Sequence, residues 1–247
     1  MPTPIVEVLS DKVDLVQRAL ELVTASIQTA IAERGFCTLA LAGGSTPKPL
    51  YAALATQPLA WDKLYIFWGD ERYVPVSHGD SNAGMAKQVW LDRVPIPPGH
   101  ILIPPTHLAD PAEAAAIYGD QVRSQFSQLQ GLAVDQLPQF DLILLGMGDD
   151  GHTASLFPHT AALQVRDQLV TLGQKGNDPR LTFTVPLINQ ARCVIFLVAG
   201  AGKRPALAEV FAEVGDDHAY PSRLVRPQGQ LYWLLDRAAG EELEKIP

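Results

Sequence analysis

Cysteine is scarce: Cys37 and Cys193 are the only two in 247 residues. Each sits inside an apolar run (36–42 and 193–199), where a free thiol behaves as a small buried hydrophobe. That usage excludes a disulfide framework and leads us to expect a reducing compartment. Basic residues are few as well. Nineteen Lys and Arg stand against 27 Asp and Glu, a formal charge of -8, so no basic stripe exists to neutralise a nucleic-acid backbone or dock on anionic lipid. No stretch approaches the roughly 18 uninterrupted apolar residues of a membrane span. The first ten residues also lack the basic segment and apolar core of a secretory leader. A cytoplasmic protein without nucleic-acid or membrane partners is the expectation. Absent too are Cys-x-x-Cys, His-Glu-x-x-His and Gly-x-Ser-x-Gly, which leaves metal hydrolysis and a serine-esterase elbow without support. No metal and no cofactor are expected. With no internal repeat, low-complexity tract or Ser/Gly linker, residues 1–247 are expected to form one domain.

What is present is a large apolar fraction, 47%, arranged with two periods. Val13, Val16, Leu20, Val23, Ile27 and Ile31 recur at spacings of three and four, which predicts a long amphipathic helix capped by Ser10 and stopped by Gly35. The continuous apolar runs 36–42, 64–68, 140–145, 193–199 and 231–235 read as buried strands. Helical patterns lie between them, one opening at Asp110-Pro111-Ala112-Glu113 with cap, first-turn Pro and capping-box Glu in place. Alternating strands and helices, with strands apolar on both faces, predict an α/β protein. Its frame is a Rossmann-like open, mainly parallel sheet with helices on both faces. Ligands in such sheets bind beyond the carboxyl ends of the strands, so the segments following the strands matter most.

After the first of these runs comes Gly43-Gly44-Ser45-Thr46-Pro47, where glycine permits close backbone approach and a helix start offers free N–H groups. A phosphate or other anion suits this turn, and a plain tight turn with a good cap fits it equally. It matches neither Gly-x-Gly-x-x-Gly nor the NTP-binding loop. After the second comes Gly69-Asp70-Glu71-Arg72-Tyr73-Val74-Pro75. A solvated loop is the default reading, but it leaves the same sheet edge as the Ser45-Thr46 turn. Arg72 there supplies a planar fork for phosphate, with Asp70 and Glu71 expected to hold the guanidinium.

The third segment is Gly146-Met147-Gly148-Asp149-Asp150-Gly151-His152-Thr153-Ala154-Ser155-Leu156-Phe157-Pro158. An imidazole on a glycine-rich strand end, with Asp150 two residues away, suits a general base and a carboxylate that orients it. His100, His107, His159 and His218 carry no such neighbours, and His78 only ends the Arg72 loop. The fourth segment, Gly200-Ala201-Gly202-Lys203-Arg204, puts cations at a helix start, against its dipole; a bound anion explains them, and a mildly unfavourable surface pair is the alternative.

Together these four segments, continued by Asp80-Ser81-Asn82, resemble the 6-phosphogluconolactonase family, in order and over nearly the whole chain. Gly151-His152-Thr153-Ala154-Ser155-Leu156-Phe157-Pro158 with Gly69-Asp70-Glu71-Arg72 is the specific part. The tail departs: Tyr220-Pro221-Ser222-Arg223 stands where a Pro-Ala-Ser-like segment is expected, and no role is assigned to it. The resemblance implies metal-free hydrolysis of 6-phospho-D-glucono-1,5-lactone to 6-phosphogluconate, the second step of the oxidative pentose phosphate pathway. It implies His152 as base toward water and Asp150 as its partner. Arg72, Lys203 and the turn Gly43, Gly44, Ser45, Thr46 would then hold phosphate. Two alternatives are a glucosamine-6-phosphate deaminase-like isomerase and a non-catalytic sugar-phosphate sensor. The first lacks its Glu in the stretch 154–158, and the second lacks a basic DNA-reading segment.

Overall fold

The computed structural model describes residues 3–133 and 136–243. In chain order the strands are β1 (Ile5–Leu9), β2 (Cys37–Leu41), β3 (Leu64–Trp68), β4 (Asp70–Arg72), β5 (Leu142–Leu145), β6 (Val170–Lys175), β7 (Asp178–Phe183), β8 (Cys193–Val198) and β9 (Gln230–Asp236). The helices are α1 (Lys12–Arg34), α2 (Lys48–Leu54), α3 (Asn82–Val89), α4 (Pro111–Gln130), α5 (Val185–Asn189), α6 (Arg204–Phe211) and α7 (Arg237–Gly240).

Six strands form a parallel sheet in the order β1-β9-β8-β5-β2-β3. Successive side chains serve two cores. Cys37, Leu39 and Leu41 of β2 join Cys193, Ile195 and Leu197 of β8 against α1, α2 and α3. Ala40 joins Val194, Phe196 and Val198 against α4, α5, α6 and α7. A sheet covered on both faces has no use for polar alternation, which is why these strands read as continuous apolar runs.

Helix α1 corrects two details of the sequence reading. Its N-cap is Asp11 rather than Ser10, with the carboxylate accepting from Val13 N and Asp14 N. The buried stripe is Leu15, Ala19, Val23, Ile27 and Ala30, so Val16, Leu20 and Ile31 form its flank and Val13 is 74% exposed. The small residues Ala19 and Ala30 allow close approach to the sheet, and an apolarity count cannot see that preference. Gly35 ends the helix in the left-handed region, φ 81°.

From β2 the chain runs outward to β3, then crosses back to place β5 on the other side of β2. Connections therefore leave neighbouring carboxyl ends in opposite directions at β2 and β5, which opens a crevice at that switch point. A second, antiparallel sheet, β4-β7-β6, stands beside it. The two are tied by Gly69, whose N–H donates to Leu41 O at 3.0 Å and whose carbonyl accepts from Phe183 N at 2.7 Å.

Candidate active site

The turn after β2 is held from behind. The Tyr51 hydroxyl, fully buried on α2, donates to Ala42 O at 2.7 Å and accepts from Ala42 N at 3.0 Å. Beyond Ala42, Gly44 has φ +96°. Among the hydrogen bonds of the described residues, none uses the N–H of Gly43, Gly44, Ser45 or Thr46. Helix α2 also starts without a side-chain cap. With only seven residues, α2 has a small dipole, so the electrostatic weight falls on side-chain cations.

Those cations arrive from three directions. Arg72 on β4 and Arg180 on β7 are register partners, and each has a buried guanidinium Nε without a partner. Burial, and next the charge of Arg72, push the Arg180 guanidinium below its ordinary pKa. Lys203, at the helical turn before α6, makes an ion pair with Asp149 at 2.6 Å. Lys175 ends β6. All four line one cleft of about 320 Å3, together with Gly43, Gly44, Ser45, Thr46, Asp70, Asn82, His152 and Phe157. In a chain of formal charge -8, this concentration of cations answers the requirement that an anion meet a locally positive field.

Asp70 and Glu71 do not hold Arg72 as the sequence led us to expect. The Arg72 guanidinium donates to the backbone carbonyl of Asp80 at 2.6 Å. Glu71, 1% exposed, turns the other way and accepts from Asn82 N, Ala83 N and Arg72 N at 2.7–2.8 Å and from the Ser81 hydroxyl at 3.1 Å. Burial raises its pKa against the pull of those donors. It thereby fixes the first turn of α3 beside β4, with Ser81 as the N-cap. Asp70 accepts from the Ser155 hydroxyl at 2.7 Å and so clamps the His152 segment onto the small sheet. Arg204 also points elsewhere, to Glu241 and to the carbonyl of Ala238.

His152 occupies the lip of the cleft. Its Nδ1 lies 2.5 Å from Asp150 Oδ1, and its backbone N–H donates to the same oxygen at 3.1 Å. Burial works to raise the Asp150 carboxyl, but the His152 bonds and charge outweigh it and hold its pKa below the ordinary value. An ionised Asp150 accepts only, so Nδ1–H is the donor of this pair, and the neutral imidazole in this tautomer has its lone pair on Nε2. Two neighbours enforce this pose. A Cβ on Gly148 would collide with the His152 ring and approach Asp150 Oδ1 to 2.6 Å. The Phe157 ring packs against the imidazole at 4.5 Å and under the Arg180 guanidinium at 5.8 Å.

Behind the histidine turn stands the tail segment to which no role was assigned. Ser222 N donates to Gly151 O at 2.9 Å. The Tyr220 ring stands 2.7 Å from where a Cβ on Gly151 would lie, and Gly151 has φ +76°. Arg223 anchors this brace to the carbonyls of Glu209, Val210 and Ala212.

The cleft thus brings together Gly43, Gly44, Ser45, Thr46, Asp70, Arg72, His152 and Lys203, with Asp150 reaching it through His152, while Glu71 and Arg204 stay outside it. It adds Arg180 and Lys175 and gives Asn82 a place in the lining. The β6–β7 hairpin that carries Arg180 has a legible signal, the two-residue Gly176-Asn177 turn with φ +62° at Gly176.

A cleft this small and this positive, at the switch point of a parallel sheet, marks an α/β enzyme acting on a small anion. The model of the glucosamine-6-phosphate isomerases/6-phosphogluconolactonase family matches residues 10–233, and the chain belongs to this family. It is 57% identical over 238 residues to a 6-phosphogluconolactonase of Nostoc sp., covering 96% of this chain and 98% of the relative. A 6-phosphogluconolactonase of Synechocystis sp. is likewise 57% identical over 240 residues, at 97% and 98% coverage. Among solved structures, the 6-phosphogluconolactonase from Trypanosoma brucei superposes with a TM-score of 0.82 at 30% identity, covering 98% of this chain and 99% of that one. The Trypanosoma cruzi 6-phosphogluconolactonase gives 0.87 at 29% identity, with 98% and 97% covered.

Proposed function

We propose that this protein hydrolyses 6-phospho-D-glucono-1,5-lactone to 6-phospho-D-gluconate. The full-length relatives at 57% identity carry that name. The observation that bears most on mechanism is the juxtaposition of the His152–Asp150 pair with a cleft lined by Arg72, Arg180, Lys175 and Lys203. The phosphate lies among those cations and the free amides of Gly43, Gly44, Ser45 and Thr46, which orients the lactone carbonyl toward His152. Nε2 takes a proton from water as its oxygen bonds to C1. Asp150 stabilises the imidazolium through Nδ1. The tetrahedral intermediate then collapses with cleavage of the C1–O5 bond. The ring oxygen leaves with the proton from Nε2, giving a carboxylic acid and a free hydroxyl. No step asks for a metal. The buried free thiols of Cys37 and Cys193 support work in the reducing cytoplasm.

An isomerase of the same family needs a second acid/base near the histidine, and 154–158 contributes Ala154, Ser155, Leu156, Phe157 and Pro158. The test supplies freshly generated 6-phosphogluconolactone and follows acid release above the spontaneous rate, with glucosamine 6-phosphate and ammonia release run in parallel. Acid release alone is expected. Ammonia release with no catalysed acid release would overturn the proposal.

A further inference from the structure

The segment that carries His152 has strained backbone. Ala154 and His159, with φ of 48° and 56°, are the two non-glycine residues of positive φ among the described residues, and Gly151 beside them has φ +76°. Left-handed backbone at residues with a Cβ costs free energy and persists only where the surrounding structure over-determines it. From the small sheet, Asp70 supplies one hold through Ser155. The others come from behind, from residues 216–224, none of which lines the cleft. Ser222 N donates to Gly151 O at 2.9 Å, and His159 N donates to His218 O at 3.0 Å, so the grip falls on both sides of 152–158. The Tyr220 ring fills the space beside Gly151. This segment is itself pinned. Arg223, whose side chain is 8% exposed, donates through Nη1 to the carbonyls of Glu209, Val210 and Ala212 at 2.5–3.0 Å and through Nε to Asp217 at 2.9 Å. Asn189 holds the far end, donating to Leu224 O at 2.8 Å and accepting from Arg226 N at 2.7 Å.

We propose that residues 216–224 form a bracket that positions His152 for catalysis, with Tyr220 and Arg223 as its positioning residues. Arg223 lies outside the cleft and ties the bracket to the end of α6. The bracket in turn fixes the peptide that enters His152 and the amide two residues beyond Phe157, whose ring packs on the imidazole. Slack at either grip moves the imidazole against the water it deprotonates, while the phosphate subsite stays in place. This rests on the reading of His152 as the base. A staple that only satisfies the last carbonyls of α6 would instead lower stability and leave the chemistry of the folded molecules unchanged.

The test is a mutant cycle through His152. Kinetics on freshly generated 6-phosphogluconolactone are measured for Tyr220→Ala, Tyr220→Phe and Arg223→Met, alone and combined with His152→Asn, well below each melting temperature and normalised to the folded fraction from circular dichroism. Tyr220→Ala and Arg223→Met are each expected to lower kcat about 10- to 100-fold with KM within about twofold. Tyr220→Phe keeps the ring that meets Gly151 and should retain the wild-type kcat. On the His152→Asn background the same two changes should cost no more than about twofold, because the group they position is gone. The bracket is overturned if kcat per folded molecule is unchanged in both variants, if Tyr220→Phe loses as much as Tyr220→Ala, if KM rises in step, or if the full loss recurs on His152→Asn. Tyr220→Ala carries the test should Arg223→Met not fold. An undiminished kcat in His152→Asn alone overturns the base and the bracket with it, whereas a fall there beside unchanged bracket variants overturns the bracket only.

Discussion

Gly148 is the residue that most directly makes room for the His152 ring. Its missing Cβ is the space the His152 ring occupies, so Gly148→Ala must push the imidazole from its pose or break its bond to Asp150. A displacement near 1 Å at a reacting group costs about 100-fold. We expect kcat to fall by about that factor, with KM and the melting temperature little changed; a kcat within twofold of wild type would show that the pose is not required. The cations follow a different logic. A contact to a phosphate remote from the reacting carbonyl acts in ground and transition states alike. Arg72→Met, Arg180→Met and Lys203→Met should therefore each raise KM for the phosphorylated lactone, by about 1.5–3 kcal/mol per charged contact. Steady-state kinetics on unphosphorylated gluconolactone should hardly register these changes. Equal losses on both substrates would make the three cations structural.

At the scale of elements, the cleft is a product of two sheets. The parallel sheet supplies the strand ends, and the β4-β7-β6 sheet supplies Asp70, Arg72, Arg180 and Lys175. Five strands of the first were read from the sequence, because they are largely buried on both faces and form unbroken apolar runs; β1, with Ile5 and Val6 each 40% exposed, was not. Strand β4 is Asp-Glu-Arg and β7 begins Asp-Pro-Arg. Neither has strand propensity, and both owe their conformation to pairing across the Gly176-Asn177 hairpin and to Gly69. Residues 70–72, read as a strand-end segment with Arg72 as a phosphate fork, are cross-strand neighbours of β7, and missing that pairing hid Arg180 and misassigned Glu71. The hydroxyl of Tyr51, on α2, caps the end of strand β2 through both backbone groups of Ala42. Tyr51→Phe keeps the packing but leaves the N–H and carbonyl of Ala42 unpaired in a buried place. It should cost about 1–3 kcal/mol, seen as a lower urea midpoint at unchanged slope. A midpoint equal to wild type would mean that water replaces the hydroxyl.

For the whole molecule, the α/β frame with a mainly parallel sheet is the one the sequence predicts, and the grouping of the motifs follows from it. The strand-end segments 43–47, 69–75, 146–158 and 200–204 all meet at the cleft because parallel strands put their carboxyl ends on one edge. The Tyr220-Arg223 brace was illegible because it acts through backbone and shape, which residue type does not announce. The same two-sided burial governs the thiols. Burial pushes the Cys193 thiol up to about 12 and holds that of Cys37 well above its ordinary range, so neither forms thiolate near neutrality. Iodoacetamide at pH 8 should label no cysteine in the folded protein and both in guanidinium; labelling before unfolding would contradict the packing of β2 and β8.

In the proposed mechanism one histidine, oriented by one carboxylate and unaided by metal, activates water against a phosphate-anchored lactone. The most direct measurement is the kcat and KM of His152→Asn on freshly generated 6-phosphogluconolactone, corrected for spontaneous hydrolysis, with wild type assayed with and without EDTA. Asn keeps approximate shape and polarity but accepts no proton, so kcat should fall by about 10²–10⁴ with KM nearly constant, and EDTA should leave the wild type unchanged. A His152→Asn enzyme with undiminished kcat, or a wild type inactivated by chelator and restored by zinc, would contradict the account.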